Sequence, residues 1–184
     1  MDLAGKFLLA MPGMGDPRFD KSVILICAHS DDGAMGLIIN KPSKDLSFAG
    51  LLEHLDIPRA PEGRDIAVHF GGPVERGRGF VLHSRDYRGG AATMRIAGGY
   101  GMTATLDVLE ALARGDGPHR AILALGYTGW GPGQLESEIG RNDWLTSEAD
   151  PALVFSADDR DKWVAALHQM GIDPLTLSAV AGRA

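Results

Sequence analysis

The chain has 184 residues and a formal net charge of −6, with 45% hydrophobic and 23% charged residues. This composition excludes a disordered or collagen-like chain, and the net charge argues against a protein that holds nucleic acid mainly through its phosphates. A single cysteine, Cys27, cannot form an internal disulfide. There is no signal-peptide pattern, and no apolar run reaches the roughly 20 residues of a membrane helix. We therefore expect one cytoplasmic domain over residues 1–184 that does not enter the membrane.

Strands dominate the first half of the chain. The pattern predicts strands over residues 6–10, 22–28, 35–39, 66–70, 79–84 and 93–97 and a short helix over 47–55. Residues 22–28 are apolar on both faces, which is typical of a strand covered on both sides. Asp32-Gly33 is a tight-turn signal. Residues 22–40 are thus predicted to form a central hairpin.

Helices join the strands in the second half. We predict helices over residues 105–114, 133–139 and 158–170, a last short helix from residue 173, and strands over 121–127 and 152–156. Asp158 and Asp161 have the spacing of a capping box at the start of the long helix. Strands first and helices later indicate an α+β domain built on a mixed sheet.

The segment 126–138 is the most informative part of the chain. An apolar strand runs into four glycines and a proline, with Tyr127 and Trp130 among them. Glycine adopts backbone angles that other residues avoid, and aromatic rings bury much surface while their polar tips need partners. The segment therefore predicts a loop of one defined shape.

Four blocks of sequence resemble one known family. They comprise residues 11–12, 16–17, 19 and 22–23; residues 33–36 and 39–42; residues 71–74 and 78–84; and residues 125–127, 129–130, 133–136, 138, 142 and 144–145. On these blocks the chain is similar to the bacterial AlgH-like (YqgE) family over essentially its whole length. The chain departs from that family at Ala28, where an acid is usual, and at Arg183, where a histidine is usual.

The resemblance implies a fold and a biological process. The fold is a single α+β domain whose mixed, bifurcated sheet curls into a pseudo-barrel with helices outside. The process is transcriptional regulation, and the resemblance implies no established biochemical activity.

A cluster of arginines suggests an anion site. Five arginines against two acids lie between residues 75 and 95: Arg76, Arg78, Arg85, Arg88 and Arg95. Arg78 and His83, together with Arg76 and the glycines of the preceding loop, form the candidate site, because guanidinium groups and turn N–H groups both bind anions. The alternative is structural: Arg78 ties down its loop, and the other arginines form a solvated face.

Cys27 and His29 lie two residues apart and are expected on the same face of a strand. A histidine beside a cysteine can activate the thiolate. The alternative, which the sequence favours, is that Cys27 is a small core residue and His29 opens the turn.

The other candidate site residues surround the glycine-rich loops: Asn40, Tyr127, Trp130, Gln134, Glu136 and Asn142. The two aromatic residues could form the wall of a pocket, and the amides could line it or bond to loop backbone. Glu136 and Glu138 are two apart and do not share a helix face, which favours a structural role over a catalytic carboxylate pair.

Catalytic signatures are missing from the sequence. We find no phosphate-binding loop, no H-E-x-x-H or C-x-x-C motif and no G-x-S-x-G elbow, and we predict no metal or cofactor. Our leading interpretation is a non-enzymatic regulatory protein that acts through a protein or small-ligand partner. No Arg- or Lys-rich recognition helix is predicted, so direct DNA binding is disfavoured. The alternative is an enzyme or anion-binding protein with a site near Arg78, His83, Tyr127 and Gln134.

Overall fold

A computed structural model describes residues 1–177, apart from the side chain of Ala91. Arg183 lies outside the described residues. The sheet contains strands β1 (Lys6–Ala10), β2 (Val23–Ser30), β3 (Gly33–Ile38), β4 (Ala67–Phe70), β5 (Val74–Ser84), β6 (Thr93–Ile96), β7 (Tyr100–Thr103), β8 (Ala121–Trp130) and β9 (Trp144–Glu148).

The described α-helices are short and follow the strands in the order that the sequence indicates. They are α1 (Phe48–His54), α2 (Leu106–Ala113), α3 (Gln134–Gly140), α4 (Pro151–Val154) and α5 (Lys162–Gln169), and 3-10 turns occur at Pro17–Phe19, Gly90–Ala92 and Pro174–Thr176. None of the helices within residues 1–177 is long and apolar enough to cross a bilayer.

The sheet is mixed and forks at β8. Its strand order is β6-β7-β5-β8-β3-β2-β1-β9, and these neighbours pair antiparallel. Strand β4 pairs in parallel with the first half of β8, on the edge opposite to β5, because Ala124 pairs with both Phe80 and His69. The second half of β8 pairs with β3. The α+β class and the bifurcated sheet are therefore confirmed, and the sheet curls into a half-barrel.

The strands of the predicted central hairpin are covered on both faces. Leu25 and Leu37 point into one apolar cluster, which α4 and α5 close, and Ile24 and Ile38 point into another, which α3 and two tryptophans close. A third cluster lies beneath α1 and α2. Coverage of both faces follows from the period-two alternation of a strand that is apolar throughout.

Four local predictions were wrong or incomplete. Residues 152–156 are not a strand, because Asp150 accepts a hydrogen bond from Ala152 N–H and Pro151 occupies the first turn of helix α4. Strands β7 and β9 were not predicted, and β5 and β8 extend five and three residues beyond their expected bounds. Helix α5 begins at Lys162, later than expected, and Asp161 makes no side-chain capping bond. The preceding turn instead brings Asp159 to a buried ion pair with Lys162.

Candidate functional site

The glycine-rich segments 71–79 and 126–133 lie against each other. Val74 pairs with Tyr127 and Gly79 with Leu125, and a bulge separates these two pairs. Gly126 has φ +74°, a left-handed angle that favours glycine. Gly72 passes so close to the backbone of Tyr127 that any side chain there would overlap it. These two glycines let the two segments form one surface.

A single carboxylate fixes the aromatic residues of this surface. Trp130 Nε1 and Trp144 Nε1 both donate to Glu138 Oε2, at 2.9 and 2.8 Å, and Gln134 Nε2 donates to Oε1 at 3.0 Å. Gly131 N–H donates to Gln134 Oε1 at 3.0 Å. The two indole rings meet edge to face with centroids 6.1 Å apart. Buried indole N–H groups need acceptors, and Glu138 supplies one for both.

Two neighbouring clefts open on either side of Gly129 and Trp130. The first, the β3–β8 cleft, has a volume of about 640 Å³, and its walls include Ala28, Met35, Arg78, Phe80, Tyr127 and Trp130. The second, the tryptophan cleft, has a volume of about 360 Å³, and its walls include Phe19, Val74, Trp130, Gln134, Glu138 and Trp144.

In the β3–β8 cleft, an exposed arginine, Arg78, lies beside the half-buried Tyr127. The guanidinium carbon of Arg78 lies 5.0 Å from the centroid of the Phe80 ring, and that ring meets Tyr127 edge to face at 5.9 Å. Arg78 Nη1 lies 3.4 Å from Glu75 Oε2, and both side chains are more than half exposed. An exposed ion pair of this length contributes little, so the guanidinium is available to a bound group.

Comparison with known proteins identifies the family. The model of the family described as AlgH-like matches residues 7–175. The chain belongs to the AlgH-like family. It is 69% identical to a UPF0301 protein of Cereibacter sphaeroides over the full length of both chains, and 60% identical to a UPF0301 protein of Ruegeria pomeroyi, also over both full lengths.

Two solved structures share the fold. The solution structure of the AlgH protein from Pseudomonas aeruginosa is 42% identical, has a TM-score of 0.78, and aligns over 92% of this chain and 89% of that one. A crystal structure of a protein from Corynebacterium diphtheriae is 25% identical, has a TM-score of 0.71, and aligns over 92% and 87%. The resemblance predicted from the four sequence blocks is thus confirmed.

The proposed enzyme or anion site of this AlgH-like protein does not assemble as expected. Arg78 and Tyr127 line the β3–β8 cleft and Gln134 lines the tryptophan cleft, but His83 lines neither. Side chains alternate along β5, so His83 points to the face opposite Phe80. His83 is buried: its Nδ1 bonds to Ser84 O and its Nε2 to Thr103 Oγ1, each at 2.8 Å. Burial lowers the pKa of His83, which keeps the ring neutral near pH 7.

Cys27 and His29 are not on the same face, because a bulge between Ile26 and Ala28 reverses the alternation. Cys27 is buried in the cluster beneath α5, and burial raises the pKa of its thiol to about 12. His29 instead accepts from Leu3 N–H at Nδ1 and contacts Glu136 at 2.6 Å through Nε2. Its role is to hold the N-terminal segment against α3.

Three further candidates have structural partners. Asn40 accepts from Val23 N–H and donates to Lys21 O, each at 2.8 Å, so it fixes the start of β2 away from both clefts. Asn142 has φ +61° at the turn after α3. Glu136 contacts His29, and hydrogen bonds from its own backbone N–H and from that ring hold its pKa below the ordinary value.

The sequence interpretation missed a largely buried triad of ionisable side chains, His69, Asp159 and Lys162. His69 Nε2 contacts both carboxylate oxygens of Asp159, at 2.9 and 3.0 Å, and Lys162 Nζ lies 2.9 Å from Asp159 Oδ1. Lys162 also donates to Ile39 O and Val154 O. Asp159 and Lys162 are three residues apart at the start of α5, but His69 lies in β4, ninety residues earlier, so no sequence spacing indicated the triad. Within residues 1–177, no group of three or more His, Cys, Asp or Glu residues is placed to hold a metal ion.

Proposed function

We propose that this AlgH-like protein is a regulatory binding protein without catalytic activity, and that it acts by holding a protein partner in the two clefts beside Trp130. The observation that supports the proposal is the convergence of the four family-like blocks. All four contribute residues to this surface. They are Met14, Asp16 and Phe19 from the region of the first block, Met35 from the second, Val74 and Arg78 from the third, and residues between Tyr127 and Trp144 from the fourth.

The chemistry of the surface indicates the kind of partner. Met35 and Tyr127 are half-buried and offer apolar surface, and the Arg78 guanidinium lies over the buried ring of Phe80 beside them. Interfaces are enriched in aromatic residues, methionine and arginine, and their energetic anchors are aromatic and arginine side chains. The expected partner presents an apolar side chain to the β3–β8 cleft and a carboxylate to Arg78.

Direct contact with DNA is not part of the proposal. The net charge is −6, and Asp16, Glu138 and Asp143 lie around the tryptophan cleft, where they would repel phosphates. A gel-shift series at low salt checks this point. We expect no retention of duplex DNA, and tight sequence-specific retention would contradict a role through a protein partner.

Photo-crosslinking in cells tests the partner surface. Val74 is 36% exposed at the tryptophan cleft, so a photoreactive phenylalanine at this position should capture the bound protein. The matched control carries the same group at Leu106, which is 51% exposed on α2 and lines neither cleft. We expect one discrete adduct from position 74 and none from position 106.

Purified components complete the test. The captured protein should bind the wild-type chain, and Arg78→Ala and Tyr127→Ala should each weaken binding by about tenfold or more, as for interface anchors. Arg59→Ala removes an equivalent exposed charge far from the clefts and should leave the affinity unchanged. Adducts from position 106 alone, or equal losses in all three variants, would overturn the proposal.

A further inference from the structure

Three arginines of the arginine-rich segment, Arg85, Arg88 and Arg95, surround a separate cavity of about 530 Å³. It lies between the loop that follows β5 and the hairpin of β6 and β7, and its walls include Arg85, Arg88, Arg95, Tyr87, Gly99 and Gly101. None of these residues lines either of the two clefts beside Trp130. The cavity is therefore distinct from the surface of the proposed function.

Two glycines, Gly99 and Gly101, line this cavity. Arg95 pairs with Gly101, and Gly101 pairs with His83, so the three residues form a row across β6, β7 and β5. A Cβ atom at Gly101 would lie 2.5 Å from His83 Cε1, so only glycine leaves room for that ring. Gly99 has φ +94°, and its open side faces the stem of Arg85, whose Cδ would lie 3.4 Å from an added Cβ.

The three guanidinium groups have no counter-charge of their own. Within residues 1–177, the side chains of Arg85, Arg88 and Arg95 make no ion pair and no hydrogen bond to protein. By contrast, Arg18 and Arg141 are paired with aspartates. No carboxylate of the described residues lines the cavity. Three unpaired cations around one hollow, in a protein of net charge −6, create a local positive potential that attracts anions.

Two acids, Asp86 in the loop after β5 and Asp107 beside Tyr87, are engaged elsewhere. Asp86 accepts hydrogen bonds from the Ser84 hydroxyl and from His119 N–H, and Asp107 accepts from the Tyr87 hydroxyl at 3.0 Å. The Tyr87 ring is itself held edge to face against His83, with centroids 5.3 Å apart. Asp107 thereby fixes the aromatic wall of the cavity, and neither carboxylate neutralises the arginines.

We propose that this cavity binds a phosphorylated small molecule that carries at least two negative charges and is about the size of a nucleotide. A guanidinium group binds phosphate oxygens through two parallel N–H donors, and three such groups match two or more phosphate charges. The volume lies within the range of roughly 300–1,000 Å³ typical of small-molecule sites. The ring of Tyr87 provides a face for the organic part of the ligand.

Arginine side-chain NMR with inorganic pyrophosphate, at physiological salt and without divalent metals, tests this site. We expect the Nε–Hε signals of Arg85, Arg88 and Arg95 to shift together and to saturate. Arg95→Ala should weaken binding by about tenfold or more, since charge-assisted bonds to phosphate are lost. Arg95→Lys keeps the charge but loses the paired donors, so it should weaken binding several-fold.

Two controls define the outcomes that overturn the proposal. Arg59→Ala removes the same charge on a distant exposed residue, and it should leave pyrophosphate binding unchanged. The site is refuted if pyrophosphate leaves the three signals in place, or if Arg59→Ala weakens binding as much as Arg95→Ala does. Displacement of pyrophosphate by a short DNA duplex at the same salt would reassign the cavity to nucleic acid and also overturn the proposal.

Discussion

Glu138 is the residue on which the shape of the tryptophan cleft depends most. Its carboxylate accepts from two buried indoles and from Gln134. We predict that Glu138→Ala lowers the free energy of unfolding by about 2–4 kcal/mol, because each indole N–H left without an acceptor costs about 1–3 kcal/mol. Denaturant unfolding monitored by tryptophan fluorescence measures this loss. Glu53→Ala, on an exposed position of α1, is the control and should change little; equal stability of the two variants would contradict the role of Glu138.

Cys27 should be unreactive in the folded protein. Burial raises the pKa of its thiol to about 12, so only on the order of one thiol in ten thousand is ionised at pH 8. We predict that an aromatic disulfide reagent labels the native protein very slowly at neutral pH and labels it fully once guanidinium unfolds the chain. Complete labelling of the native protein within minutes would contradict the burial of this thiol.

Single residues also show where the sequence was informative. Tyr127 and Trp130 were proposed as the wall of a pocket because they lie among glycines, and Arg78 was proposed as an anion-binding residue; all three line the β3–β8 cleft. His83 was assigned to that surface by proximity along the chain, but it is separated from it by the pleat of β5. Glu138 was noted only as an acid near a helix start, since the two indole donors on which its role depends come from different elements.

Helix α5 is attached to the sheet through the buried triad. Burial alone would raise the pKa of Asp159, but hydrogen bonds and charges from His69 and Lys162 outweigh it, and the pKa lies below its ordinary value. We predict that Asp159→Asn lowers the free energy of unfolding by about 3 kcal/mol, since it leaves the buried ammonium group of Lys162 without its counter-ion.

The pair of Asp159 and Lys162 predicts that stability depends on pH and that substitutions of the two residues are energetically coupled. Because the pKa of Asp159 is lower in the folded state, its ionised form adds stability above the unfolded-state pKa of about 4. This stability is lost as the pH falls through the folded-state pKa. Asp159→Asn should lack that pH dependence. Lys162→Met combined with Asp159→Asn should cost less than the sum of the single changes. Strict additivity of the two changes in urea unfolding would show that Asp159 and Lys162 are not energetically coupled.

The close approach of the segment after β4 to β8 depends on Gly72. A side chain at this position would overlap the backbone of Tyr127 and Thr128. We predict that Gly72→Ala lowers the free energy of unfolding by about 2–4 kcal/mol, as expected when a well-packed contact is overfilled. Gly77→Ala is the matched control, because nothing lies within 4 Å of its added carbon. If thermal unfolding gives the two variants the same stability, the close approach at Gly72 is not required.

Elements were predicted best where the local pattern and the tertiary environment agree. The hairpin of β2 and β3 follows from its doubly apolar strands and its Asp32-Gly33 turn. Strand β9 was missed because its side chains are mostly half-buried and its ladder with β1 is long-range. Helix α4 was mistaken for a strand because its apolar run resembles a short buried strand. The capping Asp150 and the proline that starts the helix, which indicate a helix, were overlooked.

The whole molecule brings distant loops together by curling a forked sheet. Strand β8 pairs with β5, β4 and β3, so loops from three parts of the chain meet at its carboxyl end. Composition argued against a disordered chain, the order of the elements indicated an α+β domain, and the four blocks indicated the family. The position of the clefts, however, depends on strand pairing between residues up to about a hundred positions apart. No local pattern encodes that pairing.

Hydroxyl-radical footprinting inside cells tests the partner surface most directly, because it needs no knowledge of the partner. Met14, Met35 and Tyr127 are half-buried around the clefts, whereas Met94 and Met170 are half-buried elsewhere. We predict that the three cleft residues are oxidised much more slowly in cells than in the purified protein, and that Met94 and Met170 are oxidised equally in both. Equal oxidation of the cleft residues in both settings, or protection confined to Met94 and Met170, would contradict a partner bound beside Trp130.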